Sequence, residues 1–266
     1  MSSNSKPECA NWVRATTADS VMTITLSRPD KLNALTYPML ARLRELLADA
    51  AGDSSVRAVL VRGEGRSFCA GDDLDGMGEF PSGMVPVEKS YHVGYLTVVR
   101  AIRDLAKPVI VGIQGHCLGA GFELALACDI RIVAEDAQLG TRFIRIGLAS
   151  GAYLLPRIVG VTRAVQMLFT GCDIDASASA EWGIATELVE PEGLDKACSR
   201  WSSELAEMPT AAIGYLKRMV YASSEMSLEE GIRDASFVSA LAHETADYRE
   251  AKDAWAKGRQ PQFTGR

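Results

Sequence analysis

The sequence predicts an α/β fold, and three observations carry that expectation. Short apolar runs of strand type alternate with segments of helical spacing up to about residue 190. From Glu192 onward, about 75 residues read almost entirely as helix. Between them lies a glycine-rich stretch, Gly115-His116-Cys117-Leu118-Gly119-Ala120-Gly121. It joins the buried-type run at residues 108–113 to a short segment of strong helix formers, Glu123-Leu124-Ala125-Leu126-Ala127.

Taken in order, residues 1 to about 10 are polar and read as a loose tail. Residues 21–26 alternate and predict a strand. Residues 28–35 form a loop. Thr36 then has the character of an N-cap for a helix whose apolar face carries Leu40, Leu43, Leu46 and Leu47. Residues 58–61 predict a buried strand that ends in a Gly63-Glu64-Gly65 turn. The segment 76–89 is rich in Gly, Pro and Met and predicts a mobile loop. Residues 92–105 have helical spacing with Val93, Leu96, Val99 and Ile102 on one side. Residues 128–133 predict another strand, and 140–151 a loop holding Thr141, Arg142, Phe143 and Arg145. A helix is expected over 161–170, a second behind Asp175 that stops at Gly183, and a strand over 184–189. Ser227-Leu228-Glu229-Glu230 is a capping-box sequence for one long helix that ends near Lys257-Gly258.

A chain of 266 residues that is 47% hydrophobic allows a large core. No polar linker divides it, so the expected organisation is a core over 11–195 and a helical region over 196–266. A net charge of −6 excludes the electrostatic footprint of a nucleic-acid binder. An anionic ligand would need local lysines or backbone N–H groups. The six cysteines and three histidines show no metal-ligand spacing, so no metal site is expected. The N-terminus lacks a signal-peptide core, and no stretch is apolar and long enough to span a bilayer. A reducing, cytoplasmic setting with free thiols is expected, with no membrane partner.

The glycine stretch carries the chemistry. Glycine permits a sharp turn and a close approach by a ligand. The first N–H groups of the following helix lack partners within it, and its dipole adds positive potential. Such a turn suits a small oxyanion. Glu123 lies one turn after Ala120 on the same side, which pairs an anion-stabilising amide with a carboxylate base. The same turn would also serve plain helix–sheet packing, with Glu123 a carboxylate held by the dipole.

Several segments in order resemble the crotonase (enoyl-CoA hydratase/isomerase) family. They are Arg28-Pro29-x-Lys31-x-Asn33-Ala34-Leu35, Phe68-Cys69-Ala70-Gly71-Asp72-Asp73-Leu74, Lys107-Pro108-Val109-Ile110, the glycine stretch with Glu123, and Cys128-Asp129-Ile130-Arg131. Leu168-Thr170-Gly171, Ala180-x-x-Gly183-Ile184-Ala185 and Pro261-x-Phe263-Thr264-Gly265-Arg266 extend the match over about 240 residues. The resemblance implies a ββα superhelix with a C-terminal helical trimerisation region, assembled as a homotrimer or dimer of trimers. It implies an acyl-CoA thioester substrate, with coenzyme A as part of the substrate and no separate cofactor.

By motif position, the thioester carbonyl would lie between the backbone N–H groups of Asp72 and Ala120, flanked by Ala70, Gly71 and Gly119. On this reading Asp72 contributes position rather than side-chain chemistry, and Asp73 caps the next turn. Lys31, and Lys257 of a neighbouring subunit, are the expected phosphate contacts. Gly151 matches a glycine beside the water site.

The pattern departs from the family's hydratases at one position. Glu123 matches the first of their two glutamates, but the second falls on Phe143. Phe143 would make the substrate pocket more apolar and raise the pKa of Glu123. Arg142 and Arg145 flank this position; a solvent-facing arginine is the expectation, an arginine reaching a polar acyl group the alternative. His92 is expected to pack or lie on a helix surface. The expected activity is reversible hydration of a trans-2-enoyl-CoA with Glu123 as acid/base. The alternatives are a Δ3,Δ2-enoyl-CoA isomerase using Glu123 alone, or a non-catalytic acyl-CoA-binding member.

Overall fold

Strand-forming runs are gathered into two layers in a computed structural model that describes residues 11–76 and 92–266. The expected tail, and nearly all of the expected loop over 76–89, lie outside these residues. The larger sheet has six strands in the order β1 (Val13–Ala18), β2 (Val21–Leu26), β3 (Ala58–Gly63), β4 (Val109–Ile113), β6 (Ile130–Ala134) and β9 (Glu187–Val189). β1 and β2 form an antiparallel hairpin, and the other neighbours pair in parallel. A smaller sheet contains β5 (His116–Leu118), β7 (Gln138–Gly140) and β8 (Asp173–Asp175).

The chain visits the layers in a repeating order. β4 leads to β5 and then helix α3 (Ala120–Ala127). β3 leads to Cys69, which bridges Cys117 of β5, and then, beyond 77–91, to helix α2 (Leu96–Asp104). β2 leads to Leu35, which bridges Asp72, and then to helix α1 (Tyr37–Gly52). Each round places one extended segment in each layer and one helix outside. A parallel pair needs such a crossover.

Alternation along the strands explains how both faces of the large sheet are buried. Val59, Val61, Val109 and Val111 face the core shared with Leu40, Leu43, Ile102 and Leu124. Ala58, Leu60, Ile110 and Ile132 face the opposite side. There they meet Leu194, Ala197 and Cys198 of helix α6 (Leu194–Glu207). Before α6 come helices α4 (Leu155–Thr170) and α5 (Ala176–Glu181). After it come α7 (Thr210–Ala222), α8 (Leu228–His243) and α9 (Ala246–Lys257).

Several local expectations hold. Thr36 accepts from the Met39 amide at 3.4 Å, and Asp175 caps α5 through the Ala178 amide at 2.8 Å. Ser227 and Glu230 form a reciprocal capping box, and Gly258 closes α9 in the left-handed region with φ 63°. The five described cysteines are free. Two expectations need correction. The helix begun at Ser227 stops at His243, and a second begins at the N-cap Thr245, whose hydroxyl accepts from Tyr248. The glycine stretch is not a direct strand-to-helix turn, because β5 stands between Gly115 and Gly119. Gly115, with φ 53°, carries the chain from the first layer to the second.

Asn33 holds the two layers in register. It is fully buried in a left-handed conformation with φ 56°. Its Nδ2 donates to the carbonyls of Glu64, Ser67 and Phe68 at 3.0, 2.8 and 3.1 Å, and its Oδ1 accepts from the Arg28 amide at 2.8 Å. Replacing Asn33 with Ala leaves three carbonyls and an amide short of a partner. Asn33→Ala is therefore expected to cost roughly 2–4 kcal/mol in urea unfolding. A loss below about 1 kcal/mol would show that the loops keep their register without it.

Candidate active site

Two short backbone bridges build the site. Leu35 donates to the Gly71 carbonyl, and Asp73 donates to the Leu35 carbonyl, both at 2.8 Å. Both bonds of this parallel bridge come from the neighbours of Asp72, so its own amide lies on the other side. Cys69 donates to the His116 carbonyl at 2.9 Å, and Leu118 donates to the Cys69 carbonyl at 2.9 Å. These bonds draw Gly71 against β5: a Cβ on Gly71, at φ 103°, would lie 3.0 Å from the Leu118 oxygen and 3.6 Å from the Ala120 nitrogen. Gly119 turns the chain with φ 52° and accepts the first helical bond, from Glu123 at 3.1 Å. α3 is buried on all sides, so the Ala120 amide stands at the start of a helix inside the protein.

A cavity of about 260 Å³ opens over this arrangement. Ala70, Gly71, Asp72, Gly119, Ala120 and Phe143 all line it, together with Leu74, Ile146 and Leu148. Six of the residues singled out from sequence are thus brought together. Gly151 and Glu123 lie behind Phe143: a Cβ on Gly151 would sit 2.8 Å from Glu123 Oε1 and 3.3 Å from the Phe143 ring. Lys31 is exposed on the turn Pro29–Lys31 and Lys257 pairs with Asp253 at 2.8 Å; neither lines the cavity.

Glu123 is completely buried, and neither carboxylate oxygen has a hydrogen-bond partner. Burial pushes it up to about 7, while the Tyr153 hydroxyl beside it acts in the opposite direction. That hydroxyl lies close enough to favour the charged form, yet makes no hydrogen bond of acceptable geometry. Asp72 is raised to about 6 by burial, and its Oδ1 is also without a partner. Phe143 stacks on Tyr95 with ring centres 5.9 Å apart, and the Tyr95 hydroxyl shares a hydrogen bond with Ser150. The charges of Glu123 and Asp72 both disfavour ionisation of Tyr95.

Two of the arginines near the site, Arg28 and Arg142, are engaged by aspartates. Arg28 pairs with Asp73 at 2.6 Å, and Asp73 also caps its turn through the Asp75 and Gly76 amides. Arg142 lines the cavity with its side chain partly exposed, and both oxygens of Asp173 accept from its guanidinium. Arg145 is exposed at the cavity edge, and the exposed His92 does not line it. Sequence reasoning passed over Tyr95, Ser150 and Tyr153. The available signal was a tyrosine at the start of an apolar helical segment, whose polar tip needs a partner once buried. Among the described residues, no group of His, Cys, Asp and Glu is placed to hold a metal ion.

Two glycine-bearing segments thus meet at one cavity, with a buried carboxylate behind Phe143. Residues 16–266 match the Enoyl-CoA hydratase/isomerase family. The chain is 36% identical over 250 residues to 1,2-epoxyphenylacetyl-CoA isomerase of Escherichia coli K12, covering 92% of this chain and 95% of that protein. It is 29% identical to (E)-benzylidenesuccinyl-CoA hydratase of Thauera aromatica, covering 93% and 97%. The crystal structure of an enoyl-CoA hydratase from Mycobacterium smegmatis superposes with a TM-score of 0.87 at 31% identity, covering 95% and 98%. The chain belongs to the enoyl-CoA hydratase/isomerase family of enzymes, with the mixed α/β crotonase fold.

The raised pKa of Glu123 has a consequence for stability. Its folded value of about 7 lies above the ordinary 4.5, so ionising it opposes folding. The penalty is absent below about pH 4.5, grows as pH rises and is complete above about pH 7. Glu123→Gln is expected to gain on the order of 3 kcal/mol more at about pH 8.5 than at about pH 4.5. Urea unfolding at both pH values measures this; an equal effect at both would mean that Glu123 titrates normally.

Proposed function

We propose that the protein catalyses reversible hydration of a trans-2-enoyl-CoA thioester. The thioester carbonyl accepts from the Asp72 and Ala120 amides. Negative charge that develops on it is stabilised by roughly 2.7–4 kcal/mol per donor. Glu123 takes a proton from water as the water oxygen adds at the β-carbon. A group that titrates near neutrality suits both directions of this transfer. Coenzyme A enters as part of the substrate, and the chemistry requires no further cofactor.

One observation carries this reading over its rivals. Beside Gly151, both oxygens of Glu123 and the Tyr153 hydroxyl are buried without partners, next to a position that has no side chain. A water bound there would satisfy these groups. The second reading is isomerisation of a 3-enoyl thioester, in which one carboxylate carries a proton between two carbons. Phe143 in place of a second glutamate favours it.

A panel of 2-enoyl- and 3-enoyl-CoA thioesters distinguishes the readings by product mass and the conjugated-thioester absorbance. Hydration predicts loss of absorbance with addition of one water, reduced at least about 100-fold in Glu123→Gln. A gain of absorbance from 3-enoyl substrate without change of mass would establish the isomerase. Binding without turnover by either protein would leave only acyl-CoA binding.

Assembly as a homotrimer or dimer of trimers belongs to the same proposal, as does a cytoplasmic location. Exposed Leu216, Val220, Leu228, Ile232, Phe237 and Trp255 on the last three helices support burial against further copies. Sedimentation velocity is expected to show a trimer or hexamer; a monomer at micromolar concentration would refute it. Among the described residues, no helix is long and apolar enough to cross a membrane.

A further inference from the structure

We propose that the side chain of Asp72, and not only its amide, is the second proton-transfer group of this site. The inference rests on the hydration reading and names the group that does the work Phe143 cannot. Asp72 lines the cavity with Gly71, Gly119, Ala120 and Phe143, whereas Glu123 is enclosed behind Phe143 and Gly151. Asp72 Oδ1 is buried and has no partner. Its neighbour Asp73 shows the contrast: it is tied to Arg28 and to two amides of its own turn. A carboxylate kept to hold the backbone would be bonded like Asp73. One that must exchange protons with a ligand is left without a fixed partner.

The groups that face Asp72 support this role. Tyr37 on α1, Tyr95 at the start of α2 and the buried Cys69 thiol each feel its charge. Burial raises all three away from neutrality, Cys69 to about 12. Asp72 and Glu123 are thus the two groups here that titrate near neutral pH, one at about 6 and the other at about 7. The charges of both act on Tyr95.

The step balances. Water oxygen bonds to the β-carbon and its proton passes to the Glu123 carboxylate. The carbon–carbon π pair moves toward the thioester, whose oxygen is held by the two amides. The carboxylic acid form of Asp72 then gives its proton to the α-carbon, and the enolate collapses to the saturated 3-hydroxyacyl thioester. Glu123 leaves protonated and Asp72 ionised; proton exchange with solvent restores both. In the dehydration direction every transfer reverses and starts from ionised Asp72 and protonated Glu123, the forms that values of about 6 and about 7 favour; hydration draws on the oppositely protonated minority of the pair.

Asp72→Asn tests this cleanly, because it preserves the backbone N–H and the side-chain shape. Exchange of the α-protons of a saturated acyl-CoA with deuterated water, read by mass spectrometry, reports the α-carbon transfer without water addition. Hydration kcat and KM are measured beside it. The expected result is exchange and kcat both reduced roughly 100-fold, KM changed less than about threefold, and partial recovery in Asp72→Glu. Exchange and kcat within about threefold of wild type, with Glu123→Gln inactive, overturns the proposal and leaves the hydratase reading standing. No exchange in wild type overturns the proposal, and no hydration by wild type overturns the hydratase reading on which it rests. The wild-type pH profile gives a readout that does not depend on a variant folding. A bell with two limbs near neutrality is expected for the pair, and a single limb overturns the proposal.

Discussion

The site depends on how closely two backbones approach. Cys69 and Gly71 press against β5 and the start of α3, and the contact leaves no room for side chains. A Cβ on Gly121 would lie 2.7 Å from the Cβ, oxygen and sulfur of Cys69. That contact brings Asp72 and Ala120 to the wall of one cavity. The surrounding structure maintains the spacing: Asn33 ties the first loop to the Ser67–Phe68 carbonyls, and the β5–β7 pairing backs the second segment. An amide that is already aimed needs no reorganisation when charge forms, and this is where such donors gain their effect.

The electrostatics follow from what is absent among the neighbours of the carboxylates. Arg28 and Arg142 stand nearby, and each is bound by another aspartate, Asp73 or Asp173. Neither Glu123 nor Asp72 is neutralised by a cation, and burial shifts both upward. An ion pair would pin a carboxylate in its charged form. The unpaired arrangement makes each group able to hold or release a proton near neutral pH at some expense in stability, as expected of strained functional sites. Phe143 contributes by stacking on Tyr95 and closing the space in front of Glu123.

Much of the architecture was legible because periodicity and caps are local signals. The alternation at residues 21–26, the leucine face after Thr36 and the capping box at Ser227 all appear where expected. The three-residue strands β5, β7 and β8 were not legible, because they are too short to show a period and exist through pairing with distant segments. The break at Glu244–Thr245 was missed because Glu244 and Thr245 are ordinary helix residues; Thr245 acts as a cap only once its hydroxyl meets Tyr248. For the site, motif order pointed to Gly71, Asp72, Ala120, Glu123 and Phe143. It could not show that Asp72 buries a carboxylate oxygen without a partner, since partnering is a property of the folded neighbourhood.

Arg57 gives the helical region a different status from an appendage. Its guanidinium reaches Thr210, the Met208 carbonyl and, across 206 residues, the Phe263 carbonyl. Asp247 binds the amides of Thr264 and Gly265 from the other side. A clasp between segments so far apart in the chain forms late, because the intervening polymer must first be ordered by contacts of shorter range. During synthesis the sheet can assemble around its early strands, but Arg57 stays unclasped until Phe263 has emerged from the ribosome. The final locking of the last helices onto the sheet therefore follows the assembly of the sheet, and its timing is set by polymer length rather than by the strength of any one bond.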